Sequence, residues 1–132
     1  EDNSGVFVRI ADRPADPWFA VHHGYEVQIC AGQDEWHRTG VIYSMTRTDV
    51  EADRPAGHWN DLDIELDGEI VRVTTNGVFL TEFDPAQPVP PRVKDYEPER
   101  GARPARGYIG LQNHDAASIV YFREVSVGPL SK

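Results

Sequence analysis

Glu26 and Gln28 stand two residues apart in Gly24-Tyr25-Glu26-Val27-Gln28-Ile29, whose alternation reads as a β-strand. Strand rise puts their side chains on one face, roughly 6–7 Å apart. A carboxylate can take or give a proton and an amide can fix a hydroxyl, so the pair suits the floor of a sugar site. Tyr25, Val27 and Ile29 point the other way and suit a core. The same alternation puts Arg9 on a face with Phe7, and Gln112 and His114 on a face with Tyr108. If these strands are neighbours, one sheet face presents Arg9, Glu26, Gln28, Gln112 and His114: a cation, a carboxylate, two amides and a titratable imidazole. Trp18, Trp36, Trp59, Tyr25 and Tyr43 are candidate platforms for sugar rings.

Each residue has a plainer reading. Arg9 can be a surface ion pair with Glu26, His114 a turn residue in Asn113-His114-Asp115, and Trp59 a core side chain. His22 and His23 are adjacent and face apart on an extended segment, so they are not expected to share a metal ion. Asp61, Asp63 and Glu65 alternate on another strand and resemble the carboxylate row of retaining jelly-roll glucanases. Their outer members lie about 13 Å apart along the strand, wider than the ~5–5.5 Å of a retaining pair. The row also starts with Asp where those glucanases normally carry Glu. A solvated outer face is the expectation there.

The elements that must position these residues are short strands. No window carries the helical apolar period for three turns. Strand-like runs recur at Gly5–Ile10, Gly24–Ile29, Thr39–Tyr43, Trp59–Leu66, Glu69–Thr75, Val78–Phe83, Gly107–Asn113 and Ser118–Val127. Asp67-Gly68 and Asn76-Gly77 read as two-residue type I′ turns of a three-stranded meander. Residues 11–23 read as a loop, and the Pro-rich, charged stretch 84–106 as a surface excursion. About eight antiparallel strands in one domain, residues 1–132, make an all-β sandwich or jelly roll.

With 132 residues the chain can bury a sizeable core. A net charge of −9 argues against nucleic acid and against an anionic membrane surface. No apolar run approaches the roughly 20 residues that span a bilayer. The single Cys30 forms no internal disulfide and reads as a small buried residue.

Seven segments occur in a recognisable order: Asn3-Ser-Gly-Val-Phe-Val-Arg9, Gly24-Tyr-Glu-Val-Gln-Ile29, Thr39-Gly-Val-Ile-Tyr43, His58-Trp-Asn60, Asn76-Gly77, Gly107-Tyr-Ile-Gly-Leu-Gln112 with His114, and Tyr121-Phe-Arg-Glu-Val125. Together they resemble the 3-keto-disaccharide hydrolase family, long catalogued as a domain of unknown function (DUF1080), with a concanavalin A-like, LamG-like jelly roll. The resemblance implies a bacterial, usually exported (secreted or periplasmic), carbohydrate-active domain that cleaves glycosides carrying a ketone at C3. The ketone acidifies the C2 proton, a base removes it, the C1 substituent leaves and water adds. By position the resemblance matches Arg9, Glu26, Gln28, Gln112 and His114; the expectation drawn from it is that Glu26 or His114 serves as base and the other as acid, with Arg9, Gln28 and Gln112 holding hydroxyls and the ketone. A divalent cation could replace the polarising group.

Family members usually carry several strands before the Asn-Ser-Gly motif, and only two residues precede it here. The expectation is a piece of a longer polypeptide, or an exposed edge covered by another domain or a second copy. Three functions therefore compete: an enzyme on oxidised glycosides, a non-catalytic carbohydrate-binding module, and a sandwich that mediates interactions without a sugar site.

Overall fold

The computed structural model describes residues 2–131 as two three-stranded antiparallel sheets and one short helix. The elements in chain order are β1 (Ser4–Ile10), α1 (Pro17–His23), β2 (Tyr25–Ile29), β3 (Leu62–Asp67), β4 (Ile70–Thr75), β5 (Val78–Phe83) and β6 (Tyr108–Leu111). One sheet has the order β2-β1-β6 and the other β3-β4-β5. They meet through Val8, Tyr25 and Val27 from the first and Val71, Val73 and Phe83 from the second, with Ile42 and Met45 between strands in sequence packed into the same core. The result is a β-sandwich.

The meander forms as its alternation predicts. Leu62, Ile64 and Leu66 turn to the core, and Asp63 and Glu65 turn to solvent. The two turns differ. Thr75 pairs with Val78, leaving Asn76 (φ 51°) and Gly77 (φ 78°) as the both-positive pair of a type I′ turn. Asp67 pairs with Ile70, so the first turn is Gly68-Glu69, with positive φ at Gly68 alone. The expected Asp67-Gly68 type I′ turn is thus displaced by one residue. On the outer face Arg72 stands opposite both Glu65 and Glu82, at 2.6 and 2.8 Å. The carboxylate row is a solvated charge ladder.

Three expectations are corrected. Residues 17–23 are a helix: Asp16 caps it by accepting from the Phe19 amide at 3.1 Å, and Pro17 occupies its first turn. At seven residues it is too short to display a three-turn apolar period. Thr39–Tyr43 hydrogen-bonds along the free edge of β2, through Gln28 N to Val41 O and Tyr43 N to Glu26 O, both 2.9 Å. Gly40 (φ 91°) and Ser44 (φ 59°) bend it, so a single bridge, Val27 to Ile42, remains of the ladder. Ser118–Val127 joins neither sheet; Ile119, Tyr121, Val125 and Val127 are exposed. It is held by Ile119 N donating to Asp2 Oδ1 (2.8 Å) and by Asn3 N donating to Ser118 Oγ (3.0 Å).

Between Phe7 and Ile10 the register of β1 against β6 shifts, and Arg9 adopts φ 57°. Gly107 lies against this bulge. A Cβ there would stand 2.6 Å from Ile10 O and 2.7 Å from Arg9 C. These are backbone atoms and cannot swing aside. Gly107→Ala should therefore lower stability by about 3 kcal/mol; a denaturation midpoint equal to the wild type's would refute this account of the bulge.

Candidate functional site

In β1 and β2, Phe7 faces Glu26 and Gly5 faces Gln28, so these four share the sheet face opposite the sandwich core. Gly110 lies opposite Phe7 on β6, and the Gln112 amide donates to Gly5 O at 2.9 Å, which brings Gln112 to the same face. Glu26, Gln28 and Gln112 are thus assembled across three strands. Glu26 is only 6% exposed and Gln28 2%.

Gly5 makes the arrangement possible. The Glu26 side chain leans over it from β2, and a Cβ on Gly5 would stand 2.7 Å from Glu26 Oε1 and 2.9 Å from Cγ. The carboxyl reaches the Gln112 side chain, which hydrogen-bonds it. Burial pushes the Glu26 carboxyl up to about 7, against the smaller, opposing pull of Gln112. A carboxyl with this proton affinity is half-ionised near neutral pH and suits general acid–base work. Gly5→Ala would force the carboxyl off Gln112. The expected outcome is a folded protein, destabilised by roughly 1–3 kcal/mol, whose Glu26 side-chain carbon shifts in NMR spectra. Unmoved Glu26 resonances would contradict the contact.

On the same face Gln28 Oε1 and Gln112 Oε1 are buried with no protein donor, and so is Asn3 Oδ1 in the adjoining cavity. Asn3, Gln112 and His114 line one cavity of about 330 Å³, with Leu111, Ile119 and Phe122 as its apolar part. Gln112 therefore links Glu26 to the cavity that holds His114. On the other flank, Tyr43 receives the influence of Glu26, and burial first, then the charges of Tyr96, Glu26 and Glu97, push its phenol up to about 12. Tyr43 stays a neutral hydroxyl at any ordinary pH, and its ring meets His37 edge-on at 5.1 Å.

Two sequence-expected residues stand apart. The bulge carries Arg9 away from Glu26: its guanidinium donates to Gly68 O at 2.6 Å and Pro104 O at 3.1 Å, tying β1 to the meander and to the 84–106 segment. The plainer reading of Arg9, a surface ion pair with Glu26, is not what the structure shows: its guanidinium clasps two other segments. Trp59 lies in the loop before β3, 46% exposed, with the Arg123 guanidinium 4.6 Å over its ring. That cation covers one face of the indole. His22 and His23 lie in the last turn of α1, where His22 stacks on Trp18 and His23 meets Phe19 at a tilt.

The oxygens of Glu26, Gln28 and Gln112 are hard donors of the type that suits a divalent cation. Among the described residues no three His, Cys, Asp or Glu side chains gather as a metal centre. A single carboxylate beside amides is a poor match for a resident ion.

A family model described as "3-keto-alpha-glucoside-1,2-lyase-like domain" matches residues 1–128. The chain belongs to this family. As a 3-keto-α-glucoside-1,2-lyase-like domain it also resembles two crystal structures from Parabacteroides distasonis ATCC 8503, each named "putative glycosyl hydrolase". The first is 24% identical with a TM-score of 0.69, covering 87% of this chain and 64% of that one. The second is 22% identical with a TM-score of 0.57, covering 65% and 44%. The domain thus spans less than two thirds of either relative, and at these identities the likeness shows the shared sandwich. No curated protein matches the chain.

Within this lyase-like domain the residues that sequence reasoning passed over are Gly5, Asn3 and Asp115. A glycine inside a strand is a signal of close approach, and Gly5 is such a case. Asp115 Oδ2 lies 2.5 Å from His114 Nδ1, a neighbour-to-neighbour pairing that no periodicity displays.

Proposed function

We propose that this domain binds a 3-keto-glycoside over the Glu26–Gln28–Gln112 face and cleaves it by elimination across C1 and C2 followed by hydration. The observation that carries this reading is the buried carboxyl of Glu26 on a face whose buried amide oxygens have no protein donor. Sugar hydroxyls are donors of the right kind, and each would relieve a buried acceptor that otherwise costs about 1–3 kcal/mol. Glu26 is the base: its carboxylate takes the C2 proton, made acidic by the C3 ketone. The C2–H electron pair forms the C1–C2 double bond as the C1–O bond breaks. His114 donates a proton to the departing oxygen. Water then adds at C1 while the proton returns to C2. Gln28, Gln112 and the Tyr43 hydroxyl hold the ring, and amide N–H or phenol O–H groups polarise the ketone.

The family description names lyase chemistry on 3-keto-α-glucosides, which agrees with a base beside C2. The test is release of the leaving group from a chromogenic 3-keto-α-glucoside, beside the unoxidised glucoside. Release from the keto substrate alone is expected. Binding of plain glycans without release from either would replace this reading with that of a carbohydrate-binding module.

A further inference from the structure

His114 lines the cavity through a ring with one nitrogen already engaged. We propose that Asp115 is a positioning residue for His114, fixing its neutral imidazole as the Nδ1–H tautomer so that Nε2 is the nitrogen that exchanges protons with a ligand in the cavity. The role of His114 in turnover rests on the function proposed above; its tautomer does not.

Asp115 is built into place from both sides. Its Oδ1 accepts the amides of Ala117 and Ser118, each at 2.8 Å. Its Oδ2 accepts Ser118 Oγ at 2.9 Å and faces His114 Nδ1 at 2.5 Å. Ser118 Oγ in turn accepts the Asn3 amide at 3.0 Å, so the loop is clamped to the entrance of β1 beside the cavity. Four donors keep the carboxylate ionised, and the first of them, His114, contributes most to holding it well below the usual carboxylate range. An ionised carboxylate only accepts hydrogen bonds. The shared proton therefore sits on Nδ1, and Nε2 is left as the working nitrogen. An imidazole orientation fixed by a carboxylate is worth having at a site that must pass a proton in a set direction.

Asp115→Asn tests this sharply. The Asn oxygen can still accept the two backbone amides, which turns its NH2 toward His114. A donor facing Nδ1 demands a lone pair there, so the tautomer should reverse to Nε2–H. Two-bond 1H–15N spectra of histidine-labelled protein above the imidazole titration read this directly, with His114 assigned by the signal lost in His114→Gln. Nδ1–H is expected in the wild type and in Ser118→Ala, which keeps the carboxylate, and Nε2–H in Asp115→Asn. Release from the keto-glucoside should fall roughly 10–100-fold in Asp115→Asn, in kcat more than in KM. An Nε2–H tautomer in the wild type, or one unchanged in Asp115→Asn, overturns the proposal. Loss of the Nδ1–H form in Ser118→Ala overturns it too, since the loop rather than the carboxylate would then set the ring. Should the wild type release nothing, the spectra still decide the role of Asp115, and only the function proposed above fails.

Discussion

Glu26→Gln should reduce turnover of a 3-keto-glycoside by about 10²–10⁴-fold, the usual worth of a positioned general base. The substitution keeps shape and the Gly5 contact. A Gln side chain accepts from Gln112 as the carboxyl does, so the fold should persist. What disappears is the ability to hold a proton taken from C2. The loss should fall on kcat, because ligand hydroxyls can still meet Gln28, Gln112 and Asn3, buried acceptors that no protein donor reaches. A variant within threefold of the wild type, with its fold intact by circular dichroism, would remove Glu26 from the mechanism.

The second large effect is on stability and concerns pH. Folding raises the Glu26 carboxyl from an ordinary 4.5 to about 7, chiefly by burial. Below pH 4.5 the group is protonated in both states and costs nothing. Between 4.5 and about 7 the unfolded chain ionises while the folded one keeps its proton, so stability drains away as pH rises. Above about 7 the folded protein carries a buried carboxylate, and the loss is complete at about 3 kcal/mol. Glu26→Gln has nothing to ionise. The difference in stability between variant and wild type should therefore move by about 3 kcal/mol in the variant's favour from pH 4 to pH 8. Urea midpoints at several pH values measure it, and parallel curves would mean that the carboxyl is not buried as described. The same carboxylate that destabilises the fold at neutral pH is the form that would accept the C2 proton, an example of stability given up at a working site.

The meander and the face shared by Glu26 and Gln28 were legible because both rest on the two-residue period of a strand, which needs no long-range information. The pairing of Gln112 with that face was legible only as a conditional, since strand order is not written in any local pattern. Arg9 shows the limit. One bulge residue in a left-handed conformation sends its side chain to Gly68 and Pro104 instead of to Glu26, and strict alternation cannot foresee a bulge. The type I′ expectation at Asp67-Gly68 failed by one residue because several turn frames accept a glycine, and pairing of Asp67 with Ile70 selects among them. The helix at 17–23 did have a signal, Asp16 followed by Pro17, but its length hid the period. Ser118–Val127 has a strand's alternation but pairs with no strand among the described residues, so propensity supplies the pattern and pairing supplies the structure.

The central claim is that Glu26 removes the C2 proton of a 3-keto-glycoside. It is tested most directly by turning over a 3-keto-α-glucoside in deuterium oxide and reading C2 of the released 3-keto-glucose by NMR at early times, against an enzyme-free control for spontaneous exchange. The account predicts leaving-group release coupled to deuterium at C2, with both lost together in Glu26→Gln. Release with the C2 hydrogen retained, together with no slowing when the substrate carries deuterium at C2, would contradict it, because a proton held by Glu26 and handed back could escape exchange but not the isotope effect of breaking the C2–H bond.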